Sequence, residues 1–205
     1  NSNGNVLAMM PHPERTELGD KLFSSMKEFI EHPIPLKKEK LSYKPEHEKI
    51  VNYEKYENSN IWIVDLIITD NEAVSVQNAL QQKGLDVKIS KQIHWEINCS
   101  ENPKNVLKQI EDSGELFNSN KEFLSKLPKD QNTHSVLIRQ KDDMLCQKKF
   151  NSLTQRFKIK NLLELKRGVV WNITLKNANF NTIFNNILNT NILHNPLSHE
   201  CFRIS

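Results

Sequence analysis

The sequence predicts an α+β fold in which one strand–helix unit occurs twice, and three observations carry that prediction. Val87, Ile89, Lys91, Ile93, Trp95, Ile97 and Cys99 alternate with polar residues, the pattern of a strand with one buried face. Leu163, Leu165, Arg167, Val169, Trp171, Ile173 and Leu175 repeat that pattern, with a basic residue and a tryptophan at the same places. Both matches hold at one offset of 76 residues, from Lys91 to Arg167 and from Trp95 to Trp171.

Each element follows from its local pattern. Near the start, the apolar run Val6-Leu7-Ala8-Met9-Met10 reads as a strand entering the proline-stiffened turn Pro11-His12-Pro13-Glu14-Arg15. Leu18, Leu22, Phe23, Met26, Phe29 and Ile30 then recur at helical spacing, and Pro33 and Pro35 close the helix. Residues 33–59 have no clean period and read as a linker.

The first copy, residues 60–127, opens with the strand Ile61–Thr69 and a helix carrying Ala73, Val76, Ala79 and Leu80. After its long strand or strand pair, a second helix opens at Asn102-Pro103, a cap and first-turn pair, and carries Val106, Leu107 and Ile110. Residues 128–134 read as a linker, and the second copy spans 135–205. It has a strand at Ser135–Arg139, one helix with Cys146, Phe150, Leu153 and Phe157, and another with Phe180, Ile183, Phe184, Ile187 and Leu188. The copies end in related phrases, Leu116-Phe117-Asn118-Ser119 and Leu193-His194-Asn195-Pro196. Each copy thus reads strand, helix, strand, strand, helix, strand, an order related to the ferredoxin-like arrangement. One such sheet buries little area and exposes its edges, so the tandem copies are expected to pair as a pseudo-dimer within the chain.

Composition narrows the functional classes. With 205 residues, 37% apolar and 26% charged, the chain suits one to two globular domains with a lean core. A net charge of +3 is no nucleic-acid signature by itself. The best apolar run, Ile61–Ile68, is strand-length and interrupted by Asp65, so no membrane partner is expected. The three cysteines, Cys99, Cys146 and Cys201, are odd in number and unpatterned, which points to a reducing, cytoplasmic setting.

Pro11-His12-Pro13-Glu14-Arg15, preceded by Gly4 and the apolar strand, resembles the C-terminal signature of triad glutamine amidotransferases. The resemblance is closest to the glutaminase subunit of phosphoribosylformylglycinamidine synthase. It implies that His12 is the base and Glu14 its orienter, while a cysteine thiolate attacks the glutamine amide. None of the three cysteines here sits in the glycine-flanked elbow the family uses. Residues 1–32 then read as the last strand, turn and helix of a truncated α/β amidotransferase domain, not competent alone.

Val87-Lys88-Ile89-Ser90-Lys91-Gln92-Ile93 resembles the central strand of the same enzyme's small scaffold subunit, which usually has Gly-Lys in place of Ser90-Lys91. The ending Leu193–Ile204 resembles that subunit's closing helix and strand. The resemblance implies a role in de novo purine biosynthesis: bridging the glutaminase domain to the large synthetase subunit and helping to deliver ammonia. ATP and Mg are expected in that synthetase partner, and no cofactor or metal in this chain, which lacks a phosphate-binding glycine loop.

Lys91 and Arg167 interrupt apolar faces, so each is a candidate contact for a ligand phosphate or a partner, or else a charge reaching solvent where the strand bends. Trp95 and Trp171 read as core or interface residues. His194, His199 and Cys201 match no common zinc spacing. Two other functional readings stand beside the scaffold: a tandem ferredoxin-like RNA-binding or interaction module without enzymatic role, and a free-standing scaffold keeping a vestigial amidotransferase tail.

Overall fold

In the computed structural model, the described residues are 12–32, 50–175 and 180–204. The expected strand at Val6–Met10 lies outside them. The chain divides into two compact units, Asn1–His47 and Glu48–Ser205.

The first unit is described over two 3₁₀ turns, Pro13–Arg15 and Glu17–Gly19, and helix α1, Asp20–Glu31. Proline at the first position of the opening turn fits its fixed φ. Gly19 is required by proximity: a Cβ there would lie 1.9 Å from the Pro13 carbonyl oxygen. The apolar residues of α1 fall at the expected spacing, yet none is buried, and Phe23 and Ile30 are 45% and 75% exposed.

The second unit is a mixed α+β body around one sheet. In chain order it runs β1 (Val51–Asn52), β2 (Ser59–Leu66), α2 (Asn71–Gln82), β3 (Val87–Cys99), α3 (Pro103–Ser113) and β4 (Glu122–Ser125). It continues with β5 (Thr133–Gln140), α4 (Met144–Asn151), β6 (Leu162–Leu175), α5 (Phe180–Asn189) and β7 (His199–Ile204). The seven strands lie in the order β1-β7-β5-β6-β3-β2-β4, antiparallel throughout except for the β1–β7 pair.

Local chemistry explains the boundaries and corrects four expectations. The segment read as linker contributes β1, which pairs Val51 with Phe202; two residues are too few to leave a period in the sequence. Asn102 does not cap α3 with its side chain; it adopts a left-handed φ of 48°, and its carbonyl accepts from the Asn105 and Val106 N–H groups. Each long strand is continuous rather than a strand pair, because 87–99 contains neither glycine nor proline to turn it. Leu163 leaves the buried face: the register shifts at Asn98/Cys99, Cys99 pairs with Leu162, and Leu163 is 58% exposed.

The centre of the sheet is the β3–β6 pairing. Its register sets Ile93 opposite Val169, positions that are 76 residues apart in the sequence repeat. On either side of that pair the contacts are reciprocal, Lys91 opposite Trp171 and Trp95 opposite Arg167. Such reciprocity is what a two-fold axis between equivalent strands demands. The flanking strands obey it too: Ile63 faces His94 as Leu137 faces Val170, and Ile63 faces Ser125 as Leu137 faces Phe202.

Helices α2 to α5 pack on one sheet face over two cores. One joins Leu80 of α2 to Phe184 and Ile187 of α5, around Ile89, Trp171 and Ile173. The other joins Val106 and Ile110 of α3 to Cys146 of α4, around Trp95, Ile97 and Leu165. Neither core belongs to one copy alone. On the opposite face, Tyr53 and Leu127 pack against Leu137, Val170 and Ile204. Among the described residues, no helix is long and apolar enough to cross a membrane.

Candidate functional site

Two helix N-termini meet near the two-fold axis, on the helix-covered face. Asp70 caps α2, accepting from the Glu72 and Ala73 N–H groups at 2.8 and 3.2 Å. Asp143 caps α4, its Oδ1 accepting from the Cys146 N–H at 2.8 Å. The strand cations answer these caps: Lys91 pairs with Asp70 at 3.3 Å and contacts Glu72, and Arg167 Nη1 lies 3.6 Å from Asp143 Oδ2. The two basic interruptions thus neither end their strands nor reach free solvent; they bind the helix that follows each copy's first strand. Nothing in the strand pattern signalled this, but an aspartate directly before an apolar-periodic run is a cap signal for both helices.

Lys91 and Arg167 also share a cavity of about 260 Å³, lined by Glu72, Asp143, Trp171 and His199 among others. Trp95 and Trp171 are buried at the β3–β6 junction.

The opposite face of the sheet carries a buried polar network. Arg139 of β5 reaches across β6 to Glu96 of β3, Nη2 to Oε2 at 2.7 Å. Glu96 Oε1 accepts from the Tyr56 N–H at 2.9 Å and the Ser59 hydroxyl at 2.8 Å. Burial raises the Glu96 pKa, but these hydrogen bonds and the Arg139 charge outweigh it and bring it down to about 2. His94 lies beside them, edge-on to Tyr53 at 5.2 Å, and neither ring nitrogen has a hydrogen-bond partner among the described residues. Burial, then the Arg139 charge, lowers its pKa to about 4.

The network breaks the two-fold symmetry. The equivalents of Glu96, Arg139 and Gly168 are Asn172, Asp65 and Gln92, by the offsets that relate the strands. There Gln92 bridges the other pair, its Nε2 donating to Asp65 at 3.0 Å and its Oε1 accepting from Asn172 at 3.0 Å. One copy therefore spans the gap with an arginine passing over a glycine, and the other with a glutamine between two short side chains.

In the first unit, His12 Nδ1 and Glu14 Oε1 are hydrogen-bonded at 2.8 Å, both side chains more than half exposed. With Nδ1–H donating to the carboxylate, Nε2 is left as the proton acceptor, the arrangement of a base and its orienter. All three cysteines are buried. Burial raises the Cys99 pKa, and burial reinforced by Asp143 raises that of Cys146 to about 11, so neither is poised as a thiolate. His194 and Cys201 are buried, and among the described residues no group of three or more His, Cys, Asp or Glu is arranged to hold a metal ion.

No protein-family model matches the chain, and no curated protein matches it.

Proposed function

We propose that this chain supplies the bridging scaffold of phosphoribosylformylglycinamidine synthase, as two ferredoxin-like-related units joined into a pseudo-dimer. The observation that carries the reading is the reciprocal β3–β6 register about Ile93 and Val169, which joins two sequence-related halves in one sheet. A scaffold subunit that acts as a dimer has that form, here in one polypeptide. Shared cores make the body a single rigid block, suited to holding two larger partners at a fixed spacing for ammonia transfer.

The His12–Glu14 hydrogen bond supports the second part of the reading, in which residues 1–32 belong to a glutamine amidotransferase domain. The exposed apolar stripe of α1 fits a helix whose packing surface belongs to that larger domain. In this reading the chain has no glutaminase activity by itself, the nucleophile coming from elsewhere. ATP-dependent amidation belongs to the synthetase partner, and the setting is cytoplasmic.

The test is reconstitution with a large synthetase subunit and a complete glutaminase. The expected result is that the chain enters a ternary complex and restores glutamine-dependent amidation, leaving ammonia-dependent amidation unchanged. Absence of a complex would overturn the proposal. Submicromolar, salt-sensitive RNA binding would instead favour the nucleic-acid module.

A further inference from the structure

The two ends of the sheet differ although the halves that form them are equivalent. β7 carries β1 on its outer side, Val51 pairing with Phe202 and Asn52 with Arg203. β4, its counterpart in the first half, ends the sheet among the described residues. The offset that matches Ile63 to Leu137 matches Leu124 to Cys201, through their pairs with Val64 and Ile138. Cys201 is buried, whereas Leu124 is 39% exposed and its neighbour Phe123 46%.

This open edge has hydrogen bonds and charges to offer. The Ile67 N–H donates to the Lys121 carbonyl, which fixes the phase of the β2–β4 ladder. Phe123 and Ser125 therefore turn their backbone groups toward β2, and Leu124 turns its N–H and C=O outward. Glu122 and the exposed Lys126 stand two residues to either side of Leu124. Glu122 Oε2 accepts from the Asn118 N–H at 2.6 Å, which holds that carboxylate in place. A lysine at a sheet edge normally discourages strand addition. Here an antiparallel copy of β4 would answer it with a glutamate.

We propose that the β4 edge is a homodimer interface, two copies of the chain joining β4 to β4 about a two-fold axis at Leu124. That register sets Leu124 against Leu124, with two reciprocal N–H···O=C bonds, and each Glu122 against the Lys126 of the other copy. A register one pleat away sets Glu122 against Leu124 and gives Lys126 no carboxylate. The occupant is a second copy because the edge complements itself in both hydrogen bonding and charge. Two seven-stranded sheets then run on as one. The interface stands apart from the scaffold proposal, which concerns the β3–β6 seam.

The experiment is sedimentation equilibrium of the whole chain. A strand of four residues buries less than the roughly 1,200 Å² of a stable interface, so the expected dimer is reversible, with Kd about 10–200 µM. Lys126→Glu sets carboxylate against carboxylate at both ends of the strand pair and should weaken association about tenfold or more, and so should Glu122→Lys. Mixed in equal amounts, these two variants should associate with about the original affinity, since one copy then presents two carboxylates and the other two ammonium groups. Mixing would not repair a folding defect. Leu124→Pro removes the outward N–H without touching the β2 ladder, and should weaken the dimer about tenfold with the circular dichroism spectrum unchanged. A monomer at about 1 mM would overturn the proposal and leave the edge to an extended segment of another protein. A dimer with unchanged Kd in Lys126→Glu would also overturn it, as would two single variants that fail to associate when mixed.

Discussion

Glu96 of β3 and Arg139 of β5 meet at 2.7 Å although β6 lies between their strands. The crossing is possible because the β6 residue between them is Gly168, paired with His94 on one side and next to the Val169–Ile138 pair on the other. Both charged side chains are nearly buried, with 2% and 12% exposed. Losing one partner therefore strands a charge. Arg139→Met should lower the unfolding free energy by about 3–5 kcal/mol in urea titration. Adding Glu96→Gln should recover part of that loss, since no buried charge then remains unpaired.

Gly168→Ala tests the crossing itself. A Cβ there would meet Leu137 Cδ1 at 2.5 Å, the Ile138 carbonyl oxygen at 3.0 Å and Arg139 Cγ at 3.1 Å. The expected cost is about 1–3 kcal/mol, read as a lower thermal midpoint. The cause is contact, since Gly168 is not among the residues with positive φ.

Acid sensitivity should come in two steps. His94 has its pKa lowered to about 4, while the unfolded chain takes up that proton near 6.5. The unfolded state then binds more protons between those values, so stability is full above about pH 6.5 and falls toward pH 4. Glu96, lowered to about 2, adds a second loss from about pH 4.5 downward. In denaturation curves taken from pH 8 to pH 4, His94→Phe should reduce the first slope, the remainder coming from His134, whose pKa is also lowered by burial and then by the Arg203 charge. An unchanged slope would show that His94 is not its source.

The caps make a separable prediction. Asp70→Ala removes the acceptor for two N–H groups and one partner of Lys91, and should cost about 1–2 kcal/mol by urea titration. Asp70→Asn should cost less, because an amide oxygen still caps.

For the first unit, the prediction rests on the proposed function and is read with this chain joined to the nucleophile-bearing part of an amidotransferase domain, in place of a separate complete glutaminase. Glu14→Gln should lower glutamine-dependent amidation by roughly 10²-fold or more, with ammonia-dependent amidation unaffected. Equal loss of both activities would remove Glu14 from the glutaminase step.

The sheet's centre was legible because a tryptophan and a basic residue stand at the same places in two alternating runs, and alternation depends only on neighbours in sequence. That Arg167 pairs with Asp143 was not legible, since the partner lies 24 residues away on a helix terminus whose approach depends on how α4 packs. The Glu96–Arg139 pair was harder still. It requires knowing that β5 lies beside β6 and that Gly168 opens the gap. His12 and Glu14 were legible as a motif, but their contact is made across the start of the 3₁₀ turn Pro13–Arg15, which the spacing alone did not show.

The unequal spans across the sheet's centre have a consequence for how molecules of this chain treat one another. If the first half paired with the first half of another molecule in the β3–β6 register, Asp65 would reach toward Glu96, carboxylate against carboxylate. If two second halves paired, each Arg139 would arrive at an Asn172 and keep its charge unanswered. Only the unlike combination matches, and it is the one already held within a single chain. The seam thus selects against like-with-like pairing of halves from neighbouring molecules, and either half offered alone would find no matching partner among its own copies.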